Sequence, residues 1–100
     1  MDSNTTIGLE STVARATDLI SSEVDDEIFL QSVDNGRYYE MDEVGAHIWD
    51  LITRPITVLE LCSILVEEFD IDVDICQRDV LYFLNEMASE NLIQISAAPN

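Results

Sequence analysis

Few side chains in this sequence have the type and spacing needed for catalysis or for metal binding. The 100 residues include one histidine, His47, and two cysteines, Cys62 and Cys76. A cysteine beside a histidine base can act as a nucleophile, but both cysteines lie within apolar helical patterns and neither has a surrounding motif. One histidine and two helical cysteines also fall short of an ordinary zinc site. We therefore predict two buried thiols in a reducing compartment, with a thiol enzyme as the alternative.

An acidic stretch partly matches the start of a calcium-binding loop. Asp70, Asp72 and Asp74 occupy its first, third and fifth places. The sixth place, however, is Ile75 where the sharp turn needs glycine, and the twelfth is Leu81 where a glutamate closes the cage. Lysine and a glycine-rich phosphate loop are absent as well. We interpret the stretch as an acidic helix connector, and we predict no metal, no cofactor and no enzymatic activity.

The charge balance restricts the class of partner. Four basic residues, all arginine, stand against 21 Asp and Glu, which gives a formal net charge of −17. Such a chain is repelled by phosphate backbones and anionic lipid, because nucleic-acid binding is driven by cations that displace condensed counterions. No apolar run approaches the length of a membrane span, and the amino terminus has no signal peptide pattern. We expect a cytoplasmic protein that binds neither nucleic acid nor membrane.

The length predicts one domain with one core. Residues 1–10 are rich in Ser, Thr and Asn and have no sustained period, so we expect a flexible lead-in there. Residues 11–96 carry the apolar patterning and form the predicted domain, and residues 97–100 form a tail.

The clearest local signal is a β-hairpin. Two short segments rich in β-branched and aromatic residues, 28–33 and 37–41, are separated by Asp34-Asn35-Gly36. The Asn-Gly pair supplies the positive φ of a tight turn. A looser alternation from Ser11 to Ile20 predicts a strand before the hairpin.

After the hairpin the apolar period changes from two to about 3.6, which predicts helices. Asp42 caps the first helix, which ends before Pro55, and Thr57 caps the second. The third begins near Asp74 and ends at Asn91. The predicted fold class is therefore α+β, with a small antiparallel three-stranded sheet followed by three helices, a winged-helix-like order. A last segment forms a short strand or packs on the core.

A strand at 37–41, if it lies at the sheet edge, exposes backbone groups with which a peptide can pair. Its length is about 17 Å at roughly 3.4 Å per residue. The outward stripe of the third helix includes Ile75, Arg78, Tyr82 and Asn85, which would wall a groove beside that edge. The alternative is that the tyrosines only cover the core with their hydroxyls in water.

A winged-helix order also raises the possibility of DNA binding. The third helix would enter the major groove, yet it carries Arg78 against four carboxylates, those of Asp74, Asp79, Glu86 and Glu90. A recognition helix has the opposite balance. A non-catalytic winged-helix interaction module, or an acidic mimic of DNA, stays open as an alternative.

Several motifs recur here in the order found in one family. They are the pair Tyr38-Tyr39, the run Gly45-Ala46-His47-Ile48-Trp49, the helix start Thr57-Val58-Leu59-Glu60-Leu61, and later Phe83-Leu84 and Asn91-Leu92-Ile93. Over residues 11 to 96 the chain resembles the PqqD-like family of leader-peptide-binding proteins, also called RiPP recognition elements. With Ser11-Thr12-Val13 near its start, it is more similar to the stand-alone proteins of lasso-peptide clusters than to those of pyrroloquinoline quinone synthesis.

The resemblance implies a function and a site. The leader of a ribosomally made precursor would dock as an extra antiparallel strand and then be presented to a leader peptidase and a cyclase. A carrier in pyrroloquinoline quinone synthesis, which works with a radical enzyme, is the alternative within the family. The expected peptide-binding residues are Arg37, Tyr38, Tyr39, Glu40, Met41, Ile75, Arg78, Asp79, Tyr82 and Asn85.

Overall fold

The computed structural model describes residues 7–17, 19–25, 27–33 and 36–96. Parts of three predicted segments lie outside the described residues: residues 1–6 of the predicted lead-in, residues 34 and 35 of the predicted turn, and the predicted tail 97–100. The elements are, in chain order, β1 (Thr12–Arg15), β2 (Leu19–Val24), β3 (Glu27–Ser32), β4 (Tyr38–Met41), α1 (Glu43–Leu51), β5 (Ile56–Thr57), α2 (Val58–Phe69), α3 (Val73–Ser89) and β6 (Ile93–Ser96).

The strands form two antiparallel sheets of three, in the orders β2-β3-β4 and β5-β1-β6. The α+β class, the antiparallel three-stranded sheet and the three helices are confirmed. The second sheet was not predicted. It arises because the single strand expected from Ser11 to Ile20 is two strands, β1 and β2, that enter different sheets. The segment after α3 completes the second sheet, where Val13 pairs with Ile95.

The predicted hairpin is present as β3 and β4, although its connection is longer than a two-residue turn. Gly36 has a φ of +70°, the left-handed region that glycine enters without a steric penalty. Its N–H donates to the Ser32 carbonyl at 2.9 Å, which closes the connection. Leu30 is opposite Tyr39 in the register.

The first two helices begin as their capping residues predict. Asp42 Oδ1 accepts the Gly45 N–H at 2.9 Å, and Thr57 Oγ1 accepts the Glu60 N–H at 3.2 Å. Each contact satisfies one of the backbone donors that a helix start leaves without an intrahelical partner. Capping therefore fixes α1 immediately after β4.

The third helix is capped by Asp72, one of the three aspartates of the acidic stretch. Its Oδ1 accepts from the N–H groups of Asp74 and Ile75 at 2.9 and 3.3 Å. Asn91 has a φ of 61°, so the left-handed residue expected at the end of this helix is confirmed. The stretch thus acts as a helix connector and cap.

The core lies between the helices and the inner faces of the sheets, and its largest fully buried side chains are those of Leu30, Ile52, Leu61, Leu65, Leu84, Val13 and Val58. It also reaches into the expected lead-in. Ile7 is 2% exposed, and the Leu59 N–H donates to the Leu9 carbonyl at 3.0 Å. Residues 7–10 therefore belong to the packed unit, because two apolar side chains anchor a stretch whose polar composition predicted flexibility.

Candidate functional site

Strand β4 is an edge of its sheet, since only β3 pairs with it among the described residues. The Ser32 N–H donates to the Arg37 carbonyl at 3.0 Å, which fixes the phase of the ladder. Antiparallel pairs alternate between hydrogen-bonded and non-bonded, so the backbone groups of Tyr39 face β3. The N–H and C=O groups of Tyr38 and Glu40 therefore point to the open side.

Helix α3 runs alongside β4 in the opposite direction. At one end the Arg37 guanidinium, just before β4, lies 3.0 Å from the Glu90 carboxylate, just after α3. At the other end Met41 lines the same cavity as Asp79, in the first half of α3. The open edge and the helix thus form the two walls of a groove.

Two cavities lie in this groove, with volumes of about 400 and 410 Å³. We call them the Asp79 cavity and the Glu86 cavity. Glu40, Met41 and Phe83 line both, so the two cavities share a boundary at the middle of the groove. The other lining residues include Asp42, Ile48, Cys76 and Val80 in the Asp79 cavity, and Arg37, Tyr39, Tyr82, Met87 and Glu90 in the Glu86 cavity.

The groove brings together six of the ten residues expected to bind a peptide: Arg37, Tyr39, Glu40, Met41, Asp79 and Tyr82. Tyr38 is adjacent but its side chain, 74% exposed, lies on the outer face of the sheet. Its contribution to the open edge is its backbone.

The other three, Ile75, Arg78 and Asn85, do not line either cavity. Ile75 is exposed near the start of α3, and the Arg78 guanidinium lies 3.5 Å from its neighbour Asp79. Asn85 has a structural role: its Oδ1 accepts the Ile7 N–H at 3.0 Å and its Nδ2 donates to the Leu81 carbonyl at 2.8 Å. It therefore ties the N-terminal segment to the helix on the side away from β4.

Sequence reasoning missed Phe83, Glu86, Met87 and Glu90 as groove residues. Phe83 and Met87 were assigned to the core stripe of α3, and Phe83 is in fact half-buried. The helical repeat held the signal, because residues 79, 83, 86 and 90 are three or four apart and share one face. The direction in which that face points is set by the packing of α3 against α2 and β6, which the sequence pattern does not show.

One end of the groove is held by a polar network. Glu90 Oε1 accepts from Arg37 Nη1 at 3.0 Å and from the Tyr39 hydroxyl at 2.9 Å. The guanidinium also lies over the Tyr39 ring, 5.6 Å from its centroid. These contacts join the strand wall to the helix wall.

Acidic side chains crowd together beside Glu40, on the outer face of the sheet. The pKa of Glu27 is raised from its usual 4.5, first by a hydrogen bond with Glu40 and then by the negative charge of Glu40. The charges of Asp25 and Asp42 act in the same direction. Carboxylates that crowd in this way favour a cation beside them.

The buried thiols are confirmed, with Cys62 and Cys76 at 2% and 3% exposure. Burial raises the pKa of Cys62 to about 12 and also raises that of Cys76, which opposes thiolate chemistry. His47 packs its ring edge-to-face on Phe69 at 5.4 Å. Its Nε2 lies 3.9 Å from a Glu68 carboxylate oxygen.

Within the described part of the chain, no three His, Cys, Asp or Glu side chains are grouped so that they could hold a metal ion. None of the described helices has the length and hydropathy of a membrane-spanning segment.

The sequence profile of the family described as Coenzyme PQQ synthesis protein D (PqqD) matches residues 27–93. The chain belongs to the PqqD family. The match runs from β3 to β6 and so contains the edge strand, α3 and the groove between them. The resemblance seen in the motifs is confirmed.

This PqqD-family chain is also similar to a solved structure described as TbiB1 in complex with the TbiA(beta) leader peptide. The two are 27% identical, the TM-score is 0.77, and the similarity covers 84% of this chain and 98% of the TbiB1 chain. No curated protein matches the chain significantly.

Proposed function

We propose that this protein binds the N-terminal leader of a ribosomally made precursor peptide and presents it to maturation enzymes. The observation that carries the proposal is an open strand edge directly beside a groove: Tyr38 and Glu40 offer backbone groups, and Met41 and Phe83 offer apolar surface. A peptide in extended form can satisfy both at once, with hydrogen bonds to the edge and side chains in the cavities.

The antiparallel pairing that we propose sets the direction of the bound leader. A strand antiparallel to β4 runs from the Met41 end to the Arg37 end. The N-terminal part of the leader then lies at the Asp79 cavity and its later part at the Glu86 cavity. Backbone pairing gives affinity independent of sequence, while the two cavities select the side chains that face inward.

The likeness to a chain solved with a leader peptide supports a precursor leader as the ligand. The pathway that we propose is lasso-peptide biosynthesis, in the cytoplasm, with a leader peptidase and a cyclase as the receiving enzymes. The protein itself catalyses no step and needs no cofactor. Its buried, high-pKa thiols support a role without chemistry.

The description of the family favours a second candidate, a peptide carrier for pyrroloquinoline quinone synthesis that works with a radical enzyme. The two candidates share the groove and differ in the enzyme that receives the loaded protein. Binding of the loaded protein to a peptidase or to a radical enzyme therefore separates them.

The test is an NMR titration with the leader segment of the precursor encoded beside this gene. We expect shifts confined to residues 37–41 and to the face of α3 from 79 to 90, with a Kd of about 1 μM or lower, roughly −8 kcal/mol. Shifts spread elsewhere, or no shifts at high peptide concentration, contradict the proposal.

A matched pair of variants tests the edge directly. Glu40→Pro removes an N–H that points to the open side without removing a bond to β3, so we expect a loss of at least about tenfold, or 1.4 kcal/mol. Glu40→Ala keeps that N–H and removes the same carboxylate. Equal affinities for the two folded variants would contradict strand addition.

A further inference from the structure

The charges around the groove are strongly unequal. Four acidic residues besides Glu40 line the two cavities, Asp42, Asp79, Glu86 and Glu90, while the Glu40 carboxylate lies beside Glu27 on the outer face of the sheet. Arg37 is the one cationic residue among the described lining residues. Arg37 already pairs with Glu90 at 3.0 Å. The groove therefore carries excess negative charge that its own lining residues do not balance.

Asp79 and Glu86 are the two carboxylates on the α3 wall that face an incoming peptide. Among the described residues the Glu86 carboxylate makes no ion pair, and Asp79 has only Arg78 at 3.5 Å, both side chains being about two-thirds exposed or more. Exposed pairs of this kind hold little energy. Both carboxylates are available to a cation on the ligand.

The spacing of these groups matches an extended strand. Asp79 and Glu86 are seven residues apart, about 10.5 Å along the helix axis at 1.5 Å per residue. Phe83 lies between them on the same face and lines both cavities. On a bound strand, side chains that face the groove repeat every second residue, so positions four apart are separated by about 13 Å. Long, flexible basic side chains can make up the difference between the spacing along the helix and the spacing along the strand.

We infer that the cognate leader carries two basic residues, Lys or Arg, four positions apart and facing inward, with an apolar residue midway between them. This inference rests on the proposed function and specifies its ligand. The first basic residue lies beside Asp79, the apolar residue contacts Phe83, and the second basic residue lies beside Glu86. An acidic peptide, or a second copy of this chain with its own charge of −17, is repelled from the same groove.

The experiment uses the full chain and the synthetic leader segment of the precursor encoded beside this gene. The double variant D79N/E86Q removes two groove charges, and the matched control E60Q/E67Q removes two exposed charges from α2. We expect the groove variant to bind about three- to tenfold more weakly and the control to bind within about twofold of the unaltered protein. Affinity for the unaltered protein falls as NaCl is raised, and this dependence is reduced in the groove variant.

The peptide is changed in parallel. Leaders in which the basic residues are replaced by glutamine bind the unaltered protein more weakly but bind D79N/E86Q as the original leader does. Equal or tighter binding by D79N/E86Q, or binding that does not respond to salt, overturns the inference while the proposed function stands. A leader that does not bind the unaltered protein at all overturns the proposed function, and the inference with it.

Discussion

The Arg37 guanidinium lies 3.0 Å from the Glu90 carboxylate, which joins the start of the edge strand to the end of the third helix. The Tyr39 hydroxyl donates to the same carboxylate oxygen at 2.9 Å. The strand and the helix are far apart in sequence. The distance between them in space sets the width of the groove. A small polar network therefore joins the two walls of a groove that apolar and acidic residues line.

Tyr39→Phe should separate the contribution of the Tyr39 hydroxyl to this network from the packing of the Tyr39 ring on the core. The substitution keeps the ring and removes one part-buried hydrogen bond to a charged group, so we expect the free energy of unfolding to fall by about 1.5 kcal/mol. Urea denaturation measures the change. Tyr38→Phe is the control, because Tyr38 is 74% exposed on the outer face and its hydroxyl should contribute nothing measurable. Equal effects from both variants would contradict a specific role for the Glu90 contact.

Asn85→Ala should reduce stability without affecting the groove. It removes the acceptor for the Ile7 N–H and the donor to the Leu81 carbonyl, which we expect to cost about 1–2 kcal/mol in a urea melt. Leader affinity measured on the folded variant should equal that of the unaltered protein. A loss of affinity with unchanged stability would return Asn85 to the binding site.

Gly45→Ala tests how closely α1, β4 and α3 approach one another beneath the groove. A Cβ at Gly45 would lie 3.2 Å from Phe83 Cζ and 3.3 Å from Met41 Cβ. Alanine favours helix by up to about 1 kcal/mol, but Met41 Cβ cannot move without its strand, and overpacking costs about 1–3 kcal/mol. We expect a net loss of stability of about 1 kcal/mol.

The same variant should weaken leader binding, because Phe83 and Met41 line both cavities. Gly8→Ala is the control, since a Cβ there has no neighbour within 4 Å. Increased stability of Gly45→Ala would mean that Phe83 moves aside freely and that the boundary between the cavities is soft.

Local sequence rules predicted the strands and helices of the site better than they predicted which residues line it. Asp42, Thr57 and Asn91 mark helix ends through their own hydrogen bonds or backbone preference, which need no tertiary information. Asn85 shows the limit of such rules. Its helical stripe faces solvent by periodicity, yet the N-terminal segment covers it, and no pattern in the polar first ten residues indicated that contact.

The strand was predictable from sequence, but its place at the sheet edge and the phase of its hydrogen bonds were not. Residue composition and the preceding Asn-Gly turn identified 37–41 as a strand. Only the register with β3 determines that Tyr38 and Glu40, rather than Tyr39, offer their backbone groups outward. The second sheet escaped prediction for a related reason. Strand β5 has two residues and pairs through β1, so its formation depends on a contact between distant segments.

Glu27→Gln should change the pH dependence of stability. Contact with Glu40 raises the pKa of Glu27 above 4.5, so the folded state binds this proton more tightly than the unfolded state. The resulting stabilisation is complete below the unfolded pKa and is lost as pH rises through the raised folded pKa. As the pH is lowered towards 4.5, we expect this contribution to raise the urea concentration at the unfolding midpoint of the unaltered protein.

In Glu27→Gln that contribution should disappear, and the variant should be the more stable protein at pH 7 because the repulsion from Glu40 is gone. Glu67→Gln on α2 makes the same change of charge elsewhere and is the control. Parallel pH profiles for all three proteins would contradict the contact between Glu27 and Glu40.

Thiol labelling tests whether the protein has any capacity for cysteine chemistry. Burial leaves Cys62 and Cys76 at 2% and 3% exposure and raises the pKa of Cys62 to about 12, so almost none of it is thiolate at pH 8. We expect no reaction with a thiol-specific reagent over minutes in the native protein, and complete reaction of both cysteines in urea. Rapid native labelling of either residue would instead identify an accessible thiolate and favour the thiol enzyme. Cys76 lines the Asp79 cavity, so any slow native labelling there should be slowed further by bound leader, whereas labelling of Cys62 should not respond.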